Sequence, residues 1–416
     1  MQDIQVLKAG FIKIEQMASG HLYFVGGIVR DLLMRRQTRD IDLAYDGNID
    51  ALHEVLCQHF KIQKSKFSTL SLSIDKYNID IAKIRKDTYP NQDGFAMISE
   101  ASVEEDILRR DFTVNTGYML FNALNIEAIC RFLSSERPSE FEIAYAHPHF
   151  LRDLNNRVVS VLHDKSFEED PSRLLRCLKY CVSHGFKLDK YTKHLFIEAV
   201  EGSYIDKLSI SRFTLTFDRV IMQPKWNEIV NLGFETHLLQ SFLHLEYQKI
   251  NLSSANFWAQ NIQDRDMLKY RYMIVFKGQA SYFEPVHGKV LQTFSELLKN
   301  YKNLVDSEGS DDFSIKLYMF CNEISRQKYI IQCALGYVID SENEKMKWLY
   351  NRLFEHHFSE TLGIVFMYEE TIATDALLRL KRCLGEECLK VAYFENRILS
   401  DLEVASILKT HQKGYA

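Results

Sequence analysis

Over the first 120 or so residues the chain alternates between two hydrophobic spacings. Short apolar or period-two runs in LYFVGG, DIDLAYD, LSLSIDKY and NIDIAKI predict strands over residues 22–27, 40–46, 70–77 and 78–84. Between and after them, IVRDLLMRR, NIDALHEVLCQHF and SVEEDILRRDF place apolar residues three to four apart, the spacing of one helix face. This predicts a small mixed sheet backed by helices.

Residues 121–150 lose both periods and include Pro138 and Pro148, so they predict an irregular connector. From Pro171 the pattern is helical, in PSRLLRCLKYCVSHGF, KHLFIEAVEG, ISRFTLTFDRVIM and HLLQSFLHLEY. Proline is absent after Pro285, which lets helices continue towards the C-terminus. The SEGSDD stretch from Ser307 to Asp312 is the best linker candidate in that half, and no fixed-period repeat suggests a solenoid. The expected class is α+β, with a mixed first part and an all-helical remainder.

A chain of 416 residues, 46% of them hydrophobic, can bury more than one core. Its net charge of −5 argues against a protein coated in basic surface, although a nucleic-acid partner needs only a local positive groove. No apolar run approaches the roughly 20 residues that span a bilayer, and MQDIQVLKAGFIKIEQ is amphipathic rather than a signal peptide. The expectation is a cytoplasmic protein with no membrane partner. Eight cysteines lack CxxC pairs, and Cys177 and Cys181, at i, i+4, read as reduced thiols on a helix rather than half of a zinc site.

The chemistry concentrates in FVGGIVRDLLMRRQTRDIDLAYD, residues 24–46. Asp40 and Asp42 stand at i, i+2 on a predicted strand, so both carboxylates share one face, where they can hold hard cations such as Mg²⁺. Gly26 and Gly27 open a helix, letting phosphate oxygens approach the backbone N–H groups, and Arg30 lies one turn further on. Either feature alone has an ordinary explanation, as a turn or a solvated face. Their combination at this spacing is far more specific.

This segment resembles the signature of the family of class II tRNA nucleotidyltransferases and bacterial poly(A) polymerases, with its polymerase-β-like nucleotidyltransferase head. Matches follow in the family's order: KFSTLSLS with NIDIAKIR over residues 66–85, EEDILRRDFTVNT over 104–116 and EEDPSRLLRCLKY over 168–180. Ser68 stands where a glycine is usual, Thr116 replaces an alanine and Lys179 an arginine. The resemblance covers residues 20–190 and implies a head over 1–135, a helical neck over 136–225 and a helical body and tail over 226–416 that binds tRNA.

Residue by residue, the resemblance implies Asp40 and Asp42 as catalytic metal ligands and Gly26, Gly27 and Arg30 as triphosphate contacts. Arg110 and Asp111 would lie by the ribose and phosphates, the carboxylate accepting the 2′-OH, and Asp80 is a candidate third acidic residue. Asp170 and Arg173 would hydrogen-bond the Watson–Crick edge of the incoming base in place of a template. An acceptor facing an exocyclic amine favours CTP and ATP over UTP. Arg176 and Lys179, further along the same helix, would reach the triphosphate, and Asp153 matches an acidic position between head and neck.

The implied reaction is addition of C and A to the tRNA 3′ end by two-metal phosphoryl transfer, with tRNA held by its acceptor arm and T-arm. The short, proline- and glycine-bearing loop after Tyr89 resembles that of CC-adding enzymes, which places CCA or CC addition first, A addition next and poly(A) synthesis last. A non-catalytic homologue that binds tRNA or nucleotide is the alternative of a different class.

Overall fold

The computed structural model describes residues 2–65, 69–88, 97–242, 249–307, 316, 320, 323–324, 326–342 and 350–351. Ser68, the loop at 89–96, most of SEGSDD and everything after 351 lie outside the described residues. The chain divides into two compact units, residues 1–216 and a second beginning at Phe217.

The first unit opens with α1 (Gln2–Met17), β1 (Leu22–Val25), α2 (Gly27–Met34), β2 (Asp40–Tyr45) and α3 (Ile49–Leu56). Next come β3 (Ile62–Lys64), β4 (Thr69–Ile74), β5 (Tyr77–Lys83), the hairpin strands β6 (Arg85–Thr88) and β7 (Met97–Glu100), α4 (Val103–Leu108), β8 (Tyr118–Leu120) and α5 (Ala123–Leu133). The main sheet runs β3-β4-β5-β2-β1-β8. Only β2 and β5 pair in parallel; their neighbours are antiparallel.

Period-two alternation gives this sheet two unlike faces. On one, Phe24 of β1 meets Phe11 of α1 at 5.5 Å between ring centroids, edge to face, and Phe121 at 4.8 Å. Aromatic packing of this kind adds to the area buried. The opposite face is partly covered: Tyr23, Val25, Ala44, Ile84, Ile107 and Tyr118 form a second cluster there.

The structure departs from the sequence expectation at 121–150. Residues 123–133 form α5, capped by the Asn122 side chain accepting from Asn125 N–H and buried through Ile126, Ile129, Cys130 and Phe132. The irregular connector expected over 121–150 is therefore helical in its first part, where even the polar Asn125 is buried and bonded to backbone. The β6–β7 hairpin and three-residue β8 are too short or too polar for their periods to register.

Beyond the sheet, the first unit is helical: α6 (Phe150–Asn156), α7 (Ser166–Glu169), α8 (Ser172–His184), α9 (Lys190–Glu201) and the start of α10 (Ile210–Ile221), within which the division falls, with a parallel two-strand pair β9 (Val158–Val159) and β10 (Lys187–Leu188). Gly185, at φ 67°, ends α8 in the left-handed conformation that glycine adopts without strain. The described part of the second unit is helical too, with α11 (Trp226–Glu235), α12 (Leu238–Ser241), α13 (Leu252–Ala259), α14 (Asp264–Phe276), α15 (Glu284–His287), α16 (Val290–Asp306) and α17 (Tyr329–Glu342). A Cβ on Gly336 of α17 would come within 2.5 Å of the Trp258 ring of α13, so this helix contact requires glycine. No helix among the described residues is long and apolar enough to cross a membrane. The α+β expectation, a mixed sheet domain followed by helices, agrees with this architecture.

Candidate active site

In β2, Asp40 and Asp42 are exposed while Ile41 and Leu43 are each only 1% accessible. The two carboxylates therefore share the sheet face opposite Phe24, as their spacing predicts. Parallel pairing with β5 sets Asp80 directly beside Asp42, and Asn78 beside Asp40, with Asn78 Nδ2 3.5 Å from Asp40 Oδ1. Ser71 and Ser73 of β4 lie opposite Asp80 and Asn78, extending a polar floor. Among the described residues, no group of three or more His, Cys, Asp or Glu side chains is placed to hold a metal ion alone. Two carboxylates on one face still fit Mg²⁺, which commonly takes its remaining oxygens from water and substrate phosphates.

Above this floor, Gly26 caps α2 at φ 67° and ψ −122°, a backbone conformation closed to other residues. A Cβ there would lie 3.3 Å from Arg110 Nη1 and 3.9 Å from Asp42 Oδ2. The glycine thus brings a backbone turn, a guanidinium and a carboxylate around one point. Gly27 follows as the first residue of α2, beside Arg30 Nη2.

Arg110 follows the short helix α4, which is held by a Ser102–Glu105 capping box. Its Nε and Nη2 donate to Tyr118 Oη at 3.1 and 2.7 Å, and Nη2 also reaches Asp106 Oδ2 at 3.1 Å. Asp106 is fully buried, accepting as well from Arg85 N–H, the Arg109 guanidinium and the Tyr118 hydroxyl. Burial alone would raise its pKa; Arg110 and Arg109 outweigh it and hold the carboxyl below its usual range. Sequence inspection assigned Asp106 no role, although it lies within EEDILRRDFTVNT.

Asp111 is 5% exposed, and its Oδ1 accepts from Phe112 N–H and Asn115 Nδ2, both at 2.9 Å. Its Oδ2 forms an ion pair with Arg176 Nη2 at 2.6 Å but receives no hydrogen bond of good geometry. Burial pushes this carboxyl up, and Arg176, the Asn115 amide and Arg173 together bring it below the ordinary value. Asn115 continues inward: its Oδ1 accepts from Arg30 Nη1 at 2.7 Å and its Nδ2 also donates to Tyr180 Oη at 2.8 Å. Arg30, 6% exposed, completes the cluster through Tyr180 at 3.0 Å and Asp31 at 2.9 and 3.0 Å.

On α8 and the turn before it, the two residues expected to read a base face separate partners. Asp170 Oδ1 accepts from Ser172 N–H at 3.1 Å, Ser172 Oγ at 2.6 Å and Arg212 Nη2 at 3.2 Å. Arg173, 3% exposed, donates to Ser166 O and Oγ at 3.1 and 2.7 Å and to Arg109 O at 2.9 Å. Lys179, further along α8, contributes positive charge near Asp31 and His184. Arg212 sits 42 residues from Asp170, and no local pattern marks it.

Two other positions acquire physical reasons. The Thr116 hydroxyl donates to Thr113 O at 2.7 Å and accepts from His147 N–H at 3.2 Å, so its extra polar atom is satisfied. Asp153, 2% exposed, accepts from Thr113 Oγ1 at 2.7 Å and Arg152 Nε at 2.9 Å, tying α6 to the turn that carries Asn115.

The chain is similar to several known proteins. Residues 22–131 match the family described as the poly A polymerase head domain. Asp40, Asp42, Asp80, Arg110 and Asp111 all fall inside the matched residues, whereas α8 lies beyond them. The chain is 29% identical over 224 residues to an A-adding tRNA nucleotidyltransferase of Aquifex aeolicus, a match covering 53% of this chain and 25% of the relative. The chain therefore spans about a quarter of that relative's length. It is 25% identical over 349 residues to a CCA-adding enzyme of Streptococcus agalactiae, covering 80% of this chain and 79% of the relative. Among solved structures, a Thermotoga maritima CCA-adding enzyme complexed with tRNA shares the fold, at a TM-score of 0.56 and 18% identity over 90% of this chain and 85% of that one.

Proposed function

We propose that this protein is a nucleotidyltransferase that adds C and A residues to the 3′ end of tRNA without a nucleic-acid template. The observation that carries the reading is the convergence of Asp42, Arg110 and the Gly26 turn above an exposed Asp40–Asp42 face, within the residues that match the poly A polymerase head domain. In the reaction, the tRNA 3′-hydroxyl forms a bond to the α-phosphate of CTP or ATP, and the bond to pyrophosphate breaks. Asp40 and Asp42 would hold Mg²⁺, with Asp80 beside them in register. When bound, the metal activates the hydroxyl and neutralises charge on the departing phosphates.

The chain's own groups supply the rest. The Gly26–Gly27 turn offers N–H groups to phosphate oxygens, and Arg110 and Arg176 add positive charge. Arg30 is so fully engaged by Asp31, Asn115 and Tyr180 that its part is to hold the phosphate helix rather than to reach far into solvent. Asp111 Oδ2, buried and paired with Arg176, has room as an acceptor for a ribose hydroxyl as well. Asp170 and Arg173 read the base by exchanging contacts with Ser172, Ser166 and Arg109 for contacts with its edge. The partition into head (1–135), neck (136–225) and body with tail (226–416) belongs to this proposal, as do a cytoplasmic location and tRNA binding through the acceptor arm and T-arm.

A second reading, A addition alone, is favoured by the name of the Aquifex aeolicus relative. The deciding experiment supplies Mg²⁺, CTP and ATP, singly and together, with tRNA transcripts ending before CCA, after C and after CC. Completion of all three ends supports CCA addition. Labelling only of the CC-ended transcript by ATP supports the second reading, C addition without A indicates a CC-adding specialist, and no incorporation overturns the enzymatic proposal.

A further inference from the structure

Between β9 and α8 the chain makes a short turn whose parts are tied to one another by side chains. The helix at its centre, α7, has only four residues, Ser166–Glu169, and no side chain caps its N-terminus. Contacts outside the helix must therefore hold it. Phe167 is buried and meets Phe196 of α9 edge to face, with 6.2 Å between ring centroids. Ser166 is fully buried, and its O and Oγ accept from Arg173 Nη1 at 3.1 and 2.7 Å. The third tie joins the two ends of the turn: His163 Nε2, just before the helix, lies 3.3 Å from Oε2 of Glu169, the last helical residue.

Of these ties only the third can change its charge in the physiological range. The His163 side chain is 31% exposed, so protons reach it from solvent. It is faced by Glu169 of α7, Arg173 of α8 and Asp164 beside it in the turn. The two carboxylates favour the imidazolium, whereas burial, the largest influence, and Arg173 disfavour it and hold its pKa below the ordinary 6.5. Near neutral pH, Glu169 thus meets an uncharged ring. As pH falls below 6.5 the imidazolium attracts the Glu169 carboxylate and tightens the turn around Ser166. Arg173 can meet a base only after Ser166 gives it up.

We propose that His163 is a positioning residue for base selection: its pairing with Glu169 braces α7 and sets how readily Ser166 releases Arg173 to the incoming base, so that the preference for CTP over UTP falls in acid. This rests on the proposed function, which assigns Arg173 to the base edge. His163→Gln keeps a polar side chain that carries no charge at any pH, and Glu169→Gln neutralises the other member of the pair. Either substitution leaves the brace with nothing to strengthen in acid.

The full-length parent and both variants are assayed between pH 7.5 and pH 5.5 with CTP and UTP in parallel. Two readings are taken: incorporation into a tRNA transcript that lacks CCA, and the shift in melting temperature that each nucleotide produces without tRNA. The ratio of kcat/KM for the two nucleotides is compared, because protonation of the triphosphate affects both alike. The expected result for the parent is a fall of about threefold in the CTP-over-UTP ratio, carried by the KM for CTP. The ratio should stay level across the same range in His163→Gln and in Glu169→Gln. A parent ratio that ignores pH, or a fall that persists in both variants, would overturn the inference, as would variants that lose melting temperature and keep the parent's pH profile. A parent that incorporates nothing defeats the proposed function, and the melting shifts then decide. A CTP-specific shift that shrinks in acid in the parent alone supports the brace, and any other pattern overturns it.

Discussion

At the residue scale, charge placement explains most of what the site can do. Asp40 and Asp42 are exposed and contribute little to the core, so Asp42→Ala should leave the melting temperature nearly unchanged while lowering nucleotide incorporation by about a hundredfold or more. Circular dichroism with a primer-extension assay checks both halves. Gly26→Ala should behave differently, losing about 1–3 kcal/mol to backbone strain as well as activity, since its φ of 67° with ψ of −122° suits no side chain. Chemical denaturation of the two variants distinguishes these outcomes.

His184 gives the pH dependence. Burial, with Arg30, Arg36 and Lys179 nearby, pushes its pKa down to about 2, so it folds as the neutral imidazole. An unfolded histidine takes up a proton near its ordinary value of 6.5. The stability this residue contributes is therefore complete above pH 6.5 and declines as pH falls below it, by up to about 1 kcal/mol per pH unit. Melting curves from pH 7.5 to 5 should fall less steeply for His184→Phe, which keeps a ring between Tyr180 and Phe186. Equal slopes for parent and variant would locate the acid sensitivity elsewhere.

At the scale of elements, α4 matters beyond its length. Six residues are far too few to be helical alone, and α4 depends on the Ser102–Glu105 capping box and on buried Asp106. Since Arg110 and Asp111 directly follow this helix, Ser102→Ala should cost about 1 kcal/mol and raise the KM for CTP and ATP. Steady-state kinetics beside denaturant titration tests this; a change in stability without any change in KM would show that the cap does not reach the site. The same logic applies to α8, whose first turn is anchored by Asp170 and Ser172 and whose Arg173 is tied to Arg109 O. The residues proposed to bind nucleotide thus come from elements held to one another by side chain to backbone bonds.

At the scale of the molecule, each compact unit carries its own buried aromatic residues, Phe11, Phe24 and Phe112 in the first and Tyr270, Tyr272 and Tyr301 in the second. A fragment of residues 1–216 is expected to fold and to bind CTP or ATP with Mg²⁺ while losing at least about tenfold in tRNA affinity, because recognition of duplex RNA by shape needs an extended surface. Gel retardation of tRNA and nucleotide-dependent melting of the fragment measure the two properties separately. Undiminished tRNA binding by the fragment would move the RNA surface into the first unit.

The linear sequence determined what depends on neighbours along the chain. Period-two spacing set Asp40 and Asp42 on one face, glycine's missing Cβ marked the turn before α2, and the helical spacing of RLLRCLKY set Arg173, Arg176 and Lys179 on α8. Only tertiary structure decided which of those side chains are free to meet a ligand and which are spent on one another. Asp80 reaches Asp42 through a parallel pairing that no local spacing dictates, and Arg212 reaches Asp170 across 42 residues. Asn115, Asp106 and Tyr180 read as ordinary polar positions in a string, yet burial makes an unpaired polar group costly and so forces them into the bonds that align the site. Local geometry is written residue by residue, whereas hydrogen-bond partners are chosen by packing, after distant segments have excluded water.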